Sequence, residues 1–187
     1  MTTKAEPTKT FRCRKDLDEV VTVHRSIVDV PTGEVATTQA GVLSVGALGS
    51  CIAVLALDAH LMVGGIAHVM QPGAALPSEC ERATRYAQNG ILVLIRRLKD
   101  LGSRKEWLTI CLVGGGNVLR RKDDSICSSN IESVMRVLSR QGLQAAASHL
   151  GGDLRRSCRL DAAAGRVIYT VGDSTPRVLW EKEPTNG

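Results

Sequence analysis

Apolar positions along the chain fall into short β-type runs and two longer helical stretches. Residues 52–57 and 63–70 are apolar almost throughout and rich in branched side chains. With Asp58-Ala59-His60 between them, they read as two buried strands joined by a tight connection, the heart of a sheet. Upstream, Val21 and Val23 and then residues 27–30 predict extended chain, broken by the turn-forming Pro31-Thr32-Gly33 before Val35 resumes it. Downstream, Ser78 and Glu81 have capping-box spacing, and Ala83, Ala87, Ile91, Leu94, Ile95, Leu98 and Leu101 recur at helical intervals until Gly102. Residues 108–113 read as a buried strand ending in Gly114-Gly115-Gly116. Ser129 with Glu132 offers a second capping box, after which Ile131, Val134, Met135 and Leu138 form an apolar face ended by Gly142. Residues 144–150, and 159–171 interrupted at 161–165, predict strand, turn and hairpin. The expected fold class is α+β or α/β: a layered sandwich with a β-rich core and two main helices. The expected boundaries are a flexible tail over 1–17, one domain over 18–172 and a C-terminal tail over 173–187.

Composition narrows the partners. A chain of 187 residues buries one substantial core without staples. Only 3% of its residues are aromatic, so Val, Leu, Ile and Ala fill that core and base-stacking platforms are scarce. Nucleic acid is therefore not the expected partner. The net charge of +5 includes basic clusters at Arg96-Arg97, Arg120-Arg121-Lys122 and Arg155-Arg156, which suit either an acidic partner or a solvated face. No apolar leader opens the chain and no run is long enough to span a bilayer, so the expectation is a cytoplasmic protein without membrane insertion. Its six cysteines form no CxxC pair, and its four histidines have no neighbour at ligand spacing. Reduced thiols are expected, and neither a metal nor another cofactor.

The most informative stretch is Gly46-Ala47-Leu48-Gly49-Ser50-Cys51, followed by the strand at 52–57 and then Gly64-Gly65-Ile66-Ala67-His68. A glycine-rich turn delivers a cysteine to the mouth of one strand, and a histidine lies on the next. Across a hairpin, two such side chains come within range of sharing a proton. Thiolate is the nucleophile, and a free thiol is mostly protonated at neutral pH, so an imidazole neighbour activates it. Backbone N–H groups of Gly49, Ser50 and Cys51 are placed to hold the oxyanion formed on attack. Activation of this kind predicts that iodoacetamide labels Cys51 faster than the other five cysteines. The same residues also fit a buried free cysteine and a satisfied core histidine, the commoner roles of these types.

The combination Gly49-Ser50-Cys51-Ile52-Ala53-Val54 with Gly64-Gly65-Ile66-Ala67-His68-Val69-Met70 resembles the signature of the CheD family of chemoreceptor glutamine deamidases. Arg85-Tyr86-Ala87, Gly114-Gly115-Gly116-Asn117-Val118, Asn130-Ile131-Glu132 and Gly151-Gly152 resemble further landmarks of that family in the same order. The resemblance implies an α/β/α-like sandwich similar to the catalytic domain of cytotoxic necrotizing factor toxins. It also implies a cofactor-free protein-glutamine deamidase acting on methyl-accepting chemotaxis receptors, with Cys51 as nucleophile and His68 as base. The chain departs from the family where a threonine six positions before the cysteine is expected, because Val45 stands there with Ser44 one place earlier. Valine cannot orient an imidazole. Either Ser44 substitutes, or the third contact comes from elsewhere, or activity is reduced. The alternative reading is a non-catalytic CheD-like protein that docks on receptors or regulates a CheC-type phosphatase. The triple glycine reads as a close backbone turn rather than a phosphate cradle, since the GxxxxGK[ST] pattern is missing. Cys80, Cys111, Cys127 and Cys158 are expected to be structural, His60 an exposed loop residue, and His149 a weak candidate for approaching the site.

Overall fold

The computed structural model describes residues 26–123 and 125–183. Its strands form two five-stranded sheets. The central sheet runs in the order β2 (Val35–Gln39), β5 (Val63–Val69), β4 (Ile52–Asp58), β6 (Thr109–Gly114) and β7 (Ala145–Leu150). The outer sheet runs β1 (Ile27–Asp29), β3 (Val42–Leu48), β8 (Arg156–Asp161), β9 (Arg166–Val171) and β10 (Arg177–Glu181). The predicted hairpin is present as β4 and β5, paired antiparallel with Ile52 opposite Val69 and Ala53 opposite His68.

Every residue of β4 is buried, because both faces of the central sheet are covered. Side chains alternate along a strand, so Ile52, Val54 and Ala56 point one way and Ala53, Leu55 and Leu57 the other. The first set packs with Ile91, Leu94 and Leu98 of α1 (Ala87–Asp100) and Val134 and Leu138 of α2 (Ser125–Arg140). The second set packs with Leu43, Leu48, Leu160 and Val167 of the outer sheet. The layers are therefore helices, sheet, sheet. This corrects the α/β/α-like order: a continuous apolar run demands cover on both faces, and here a second sheet supplies one of them. The β-rich α+β reading stands.

Four local expectations shift. The segment Pro77–Arg85 is a run of 3₁₀ turns with non-helical backbone at Glu79 and Arg82, and α1 begins only at Ala87, without a side-chain cap. Glu79 accepts from Tyr86 Oη at 2.5 Å and from Arg85 at 2.6 Å, bonds that hold the segment in tight turns. The second helix starts at Ser125, so Ser129 lies within it rather than capping it. Its buried face is Cys127, Asn130, Ser133, Val134, Val137 and Leu138, whereas Met135 is 47% exposed. The outer sheet continues past residue 172, since β10 pairs antiparallel with β9. Val21 and Val23 lie outside the described residues. Among those described, no helix is long and apolar enough to cross a membrane.

Candidate active site

The chain crosses from the outer to the central sheet between β3 and β4, and the crossing is the Gly49-Ser50-Cys51 turn. A bulge interrupts the β3–β8 ladder between Val45 and Leu48, where Ala47 adopts a left-handed φ of 50°. Bulges bend a strand and re-aim the residues beyond them, which sends the chain over the sheet edge at this point. Three successive carbonyls of the turn are then held. Gly49 O accepts from Gly116 N at 2.7 Å, Ser50 O from Asn130 Nδ2 at 2.9 Å, and Cys51 O from Gly115 N at 2.8 Å. The triple glycine at the end of β6 is thus a backbone brace for the turn, through Gly115 and Gly116.

Cys51 packs against the core between the two sheets and stays partly exposed. Ala53 and Leu55 of β4 and Ile66 of β5, opposite Leu55, share that face, as does His68 by the two-residue period. The register opposes His68 to Ala53, so Cys51 and His68 are diagonal neighbours on one face. Among the described residues no hydrogen bond joins thiol to ring in this resting arrangement. Such bonds are commonly long before substrate arrives.

His68 is buried, 5% exposed, and its Nδ1 lies 3.1 Å from the main-chain oxygen of Val30. A carbonyl only accepts, so Nδ1 carries the proton and Nε2 carries the lone pair. Val30 is itself buried and tied by its N–H to Ser44 O at 2.8 Å. Sequence reasoning missed this partner because a main-chain oxygen leaves no mark on residue identity. Val45 points into the core between the sheets. Ser44 turns to the opposite face, where its hydroxyl donates to Asp29 Oδ1 at 3.3 Å.

Burial sets the protonation states. It pushes the Cys51 thiol above its ordinary range, outweighing the lowering by its own backbone N–H. It also lowers His68, against the opposing influence of the Val30 carbonyl and the Asp29 carboxylate. The resting pair is a neutral thiol beside a neutral imidazole. The sequence suggests a lowered thiol pKa, and burial reverses that direction. Among the described residues Cys80 is the exposed thiol, whereas Cys111, Cys127 and Cys158 are buried. Iodoacetamide at neutral pH is accordingly expected to label Cys80 ahead of Cys51, read by mass spectrometry of the peptides. Faster labelling of Cys51 would mean an ion pair.

Of the remaining candidates, His60 is exposed in the hairpin turn. His149 accepts from Arg156 Nε at 2.8 Å and lies against Tyr169 at 4.5 Å between ring centroids, which commits it elsewhere. Asn130, which the sequence marks only as a landmark, proves to be bonded to the turn. A polar residue on the buried face of α2 is the signal that could have found it. A cleft of about 510 Å³ opens beside the turn, lined by Gly49, Ser50, Gly116, Val118, Ile126 and Arg121 among others. No group of side chains suited to hold a metal ion occurs among the described residues.

Residues 70–170 match a family described as CheD chemotactic sensory transduction. The matched span starts beyond both Cys51 and His68. A probable chemoreceptor glutamine deamidase CheD of Chlorobium luteolum is 38% identical over 152 residues, covering 80% of this chain and 75% of that protein. The corresponding protein of Methanococcus maripaludis strain S2 is 36% identical, covering 67% of this chain and 82% of its own length. The chemoreceptor glutamine deamidase CheD of Thermotoga maritima is 31% identical, covering 68% of this chain and 80% of its own.

Proposed function

Because this chain belongs to the CheD family, we propose that it deamidates glutamines of chemotaxis receptors, with Cys51 as nucleophile and His68 as general base. The observation that carries the site is the diagonal placement of a partly exposed thiol and a buried imidazole on one face of β4 and β5. It is joined by the Val30 carbonyl that commits Nδ1 as donor.

The chemistry follows from those protonation states. His68 Nε2 takes the thiol proton as Cys51 Sγ bonds to the side-chain amide carbon of glutamine. The amide oxygen becomes an oxyanion, for which the N–H groups of Gly49, Ser50 and Cys51 are the donors this reading assigns. The imidazolium then protonates the amide nitrogen, the carbon–nitrogen bond breaks, and ammonia leaves a thioester on Cys51. Water, deprotonated by His68, hydrolyses the thioester to glutamate and restores the thiol. Each turnover replaces a neutral amide by a carboxylate on the receptor. A cleft lined by Gly49 and Ser50, the two residues before Cys51, adjoins the site. With Val45 in the core and Ser44 bonded to Asp29, the orienting contact expected of a threonine falls to the Val30 carbonyl. The two-sheet body with a cysteine at a strand mouth also supports a likeness to the catalytic domain of cytotoxic necrotizing factor toxins.

Ammonia release from a purified receptor cytoplasmic fragment tests the reading. Wild type is expected to release ammonia in proportion to new glutamate in the fragment, and Cys51→Ala none above background. Equal background release from both leaves the binding role, on receptors or on a CheC-type phosphatase, as the function.

A further inference from the structure

Asn130 lies in the second turn of α2, fully buried. Its Nδ2 donates to two main-chain oxygens, Ser50 O at 2.9 Å and Met70 O at 3.1 Å. Only the nitrogen of a side-chain amide can serve two carbonyls, so chemistry decides which way this amide is turned. Its other end, Oδ1, is buried with no partner among the described residues. An unsatisfied buried acceptor is destabilising, and an apolar residue of the same shape would avoid it. The donor end therefore explains the residue.

Both accepting oxygens belong to the mouth of the hairpin. Ser50 O is part of the peptide whose nitrogen is that of Cys51. The pairing of Ile52 with Val69 brings Met70 level with Cys51 on the adjacent strand. A trans peptide is planar, with N–H and C=O directed oppositely. A donor fixed on Ser50 O therefore aims the Cys51 N–H away from α2, to the side where it meets its own thiol.

We propose that Asn130 is a positioning residue for the nucleophile: it clamps the peptide joining Ser50 to Cys51 against the Met70 carbonyl, fixing the thiol and its N–H relative to the strand that carries His68. Its effect on turnover rests on the deamidase reading, but the clamp acts on the thiol whether or not that reading holds. The neighbouring carbonyls of Gly49 and Cys51 are held by backbone N–H groups. Replacing Asn130 frees the middle one of the three, together with Met70 O, and leaves the other two held.

The test compares full-length wild type, Cys51→Ala, Asn130→Leu and the isosteric Asn130→Asp, each checked by thermal melt. Asn130→Leu is expected to lower kcat for ammonia release by roughly 10²-fold, the scale of an ångström-level misplacement. KM and the acid limb of the pH profile should stay nearly unchanged. The iodoacetamide rate at Cys51, referred to Cys80 in the same molecule, should fall severalfold as the N–H leaves the thiol. Asn130→Asp is read the same way where the leucine variant loses its native melt. Unchanged kcat with an unchanged Cys51 to Cys80 ratio overturns the proposal, and so does a rise in KM alone. If wild type releases no more ammonia than Cys51→Ala, the deamidase reading fails. The labelling ratio then decides the clamp, a fall supporting it and constancy overturning it. Unfolding of both Asn130 variants makes the residue structural and overturns it as well.

Discussion

Replacing His68 by glutamine is expected to lower kcat for ammonia release by about 10³-fold, within the range general acid–base catalysis supplies. The loss should be this large because the neutral Cys51 thiol cannot supply thiolate unaided. Burial holds the thiol above its ordinary value of 9.0 and His68 below its ordinary 6.5. The sign of the pH dependence follows. The base works only as neutral imidazole, so wild-type kcat/KM falls as pH drops through a value below 6.5 and stays level upward until pH passes 9.0. His68→Gln removes the acid limb along with the rate. An ion pair behaves differently: its basic limb reports the imidazolium and falls well short of pH 9. A profile with its acid midpoint above 6.5, or a basic limb below 9.0, would sink the neutral-pair mechanism. Stability shares the acid limb. The folded state favours uncharged His68, so this contribution is complete above 6.5 and is lost as pH falls through the depressed folded value.

Gly114→Ala should be the most damaging conservative substitution near the site. Gly114 ends β6 opposite Ile52, with φ +127°, and a methyl group there would sit 2.1 Å from Cys51 O and 3.2 Å from Ile52 Cα. Neither neighbour is the flexible end of a side chain. Cys51 O is held by Gly115 N at 2.8 Å, and Ile52 is locked in the ladder. Relief therefore means moving the nucleophile's own peptide. Backbone strain at such a φ costs about 1–3 kcal/mol, and the clash brings the total to about 4 kcal/mol or more, the range reserved for named structural damage. For a chain of this length that lowers Tm by on the order of 10 °C, and ammonia release should drop to a small fraction in any protein that remains folded. Gly73→Ala separates strain from clash. Its φ is +74°, yet an added methyl meets nothing within 4 Å, so only the strain of about 1 kcal/mol is expected. Melts that shift equally for both variants would contradict the packing of β6 on the turn.

What the residues alone determined was local in origin. The β4–β5 hairpin was legible because continuous branched apolar runs around a short polar turn have few other ways to bury themselves. That Cys51 and His68 come to lie near each other was legible because one sits at a glycine-rich strand mouth and the other on the adjoining strand of the same hairpin. The two main helices were legible as bodies but not at their starts. Glu79 bonds to Tyr86 and Arg85, and a capping box counts spacing without knowing what competes for the side chains. Met135 was placed on the wrong face of α2 for a similar reason, since apolar identity does not say which side meets the sheet.

Tertiary structure decided the rest. That β4 needed cover on both faces was written in its side chains, but that the second cover is a sheet reaching to Glu181 depends on pairings between distant segments. The orienting partner of His68 is a carbonyl thirty-eight residues earlier in the chain, an atom every residue possesses. Asn130 reaches the turn across eighty residues of chain. The protonation states reverse the sequence expectation because desolvation is a property of the packed surroundings rather than of cysteine or histidine. Residue types thus named the candidate atoms, whereas their aim, their partners and their charge came from backbone groups and burial that exist only once the chain has closed on itself.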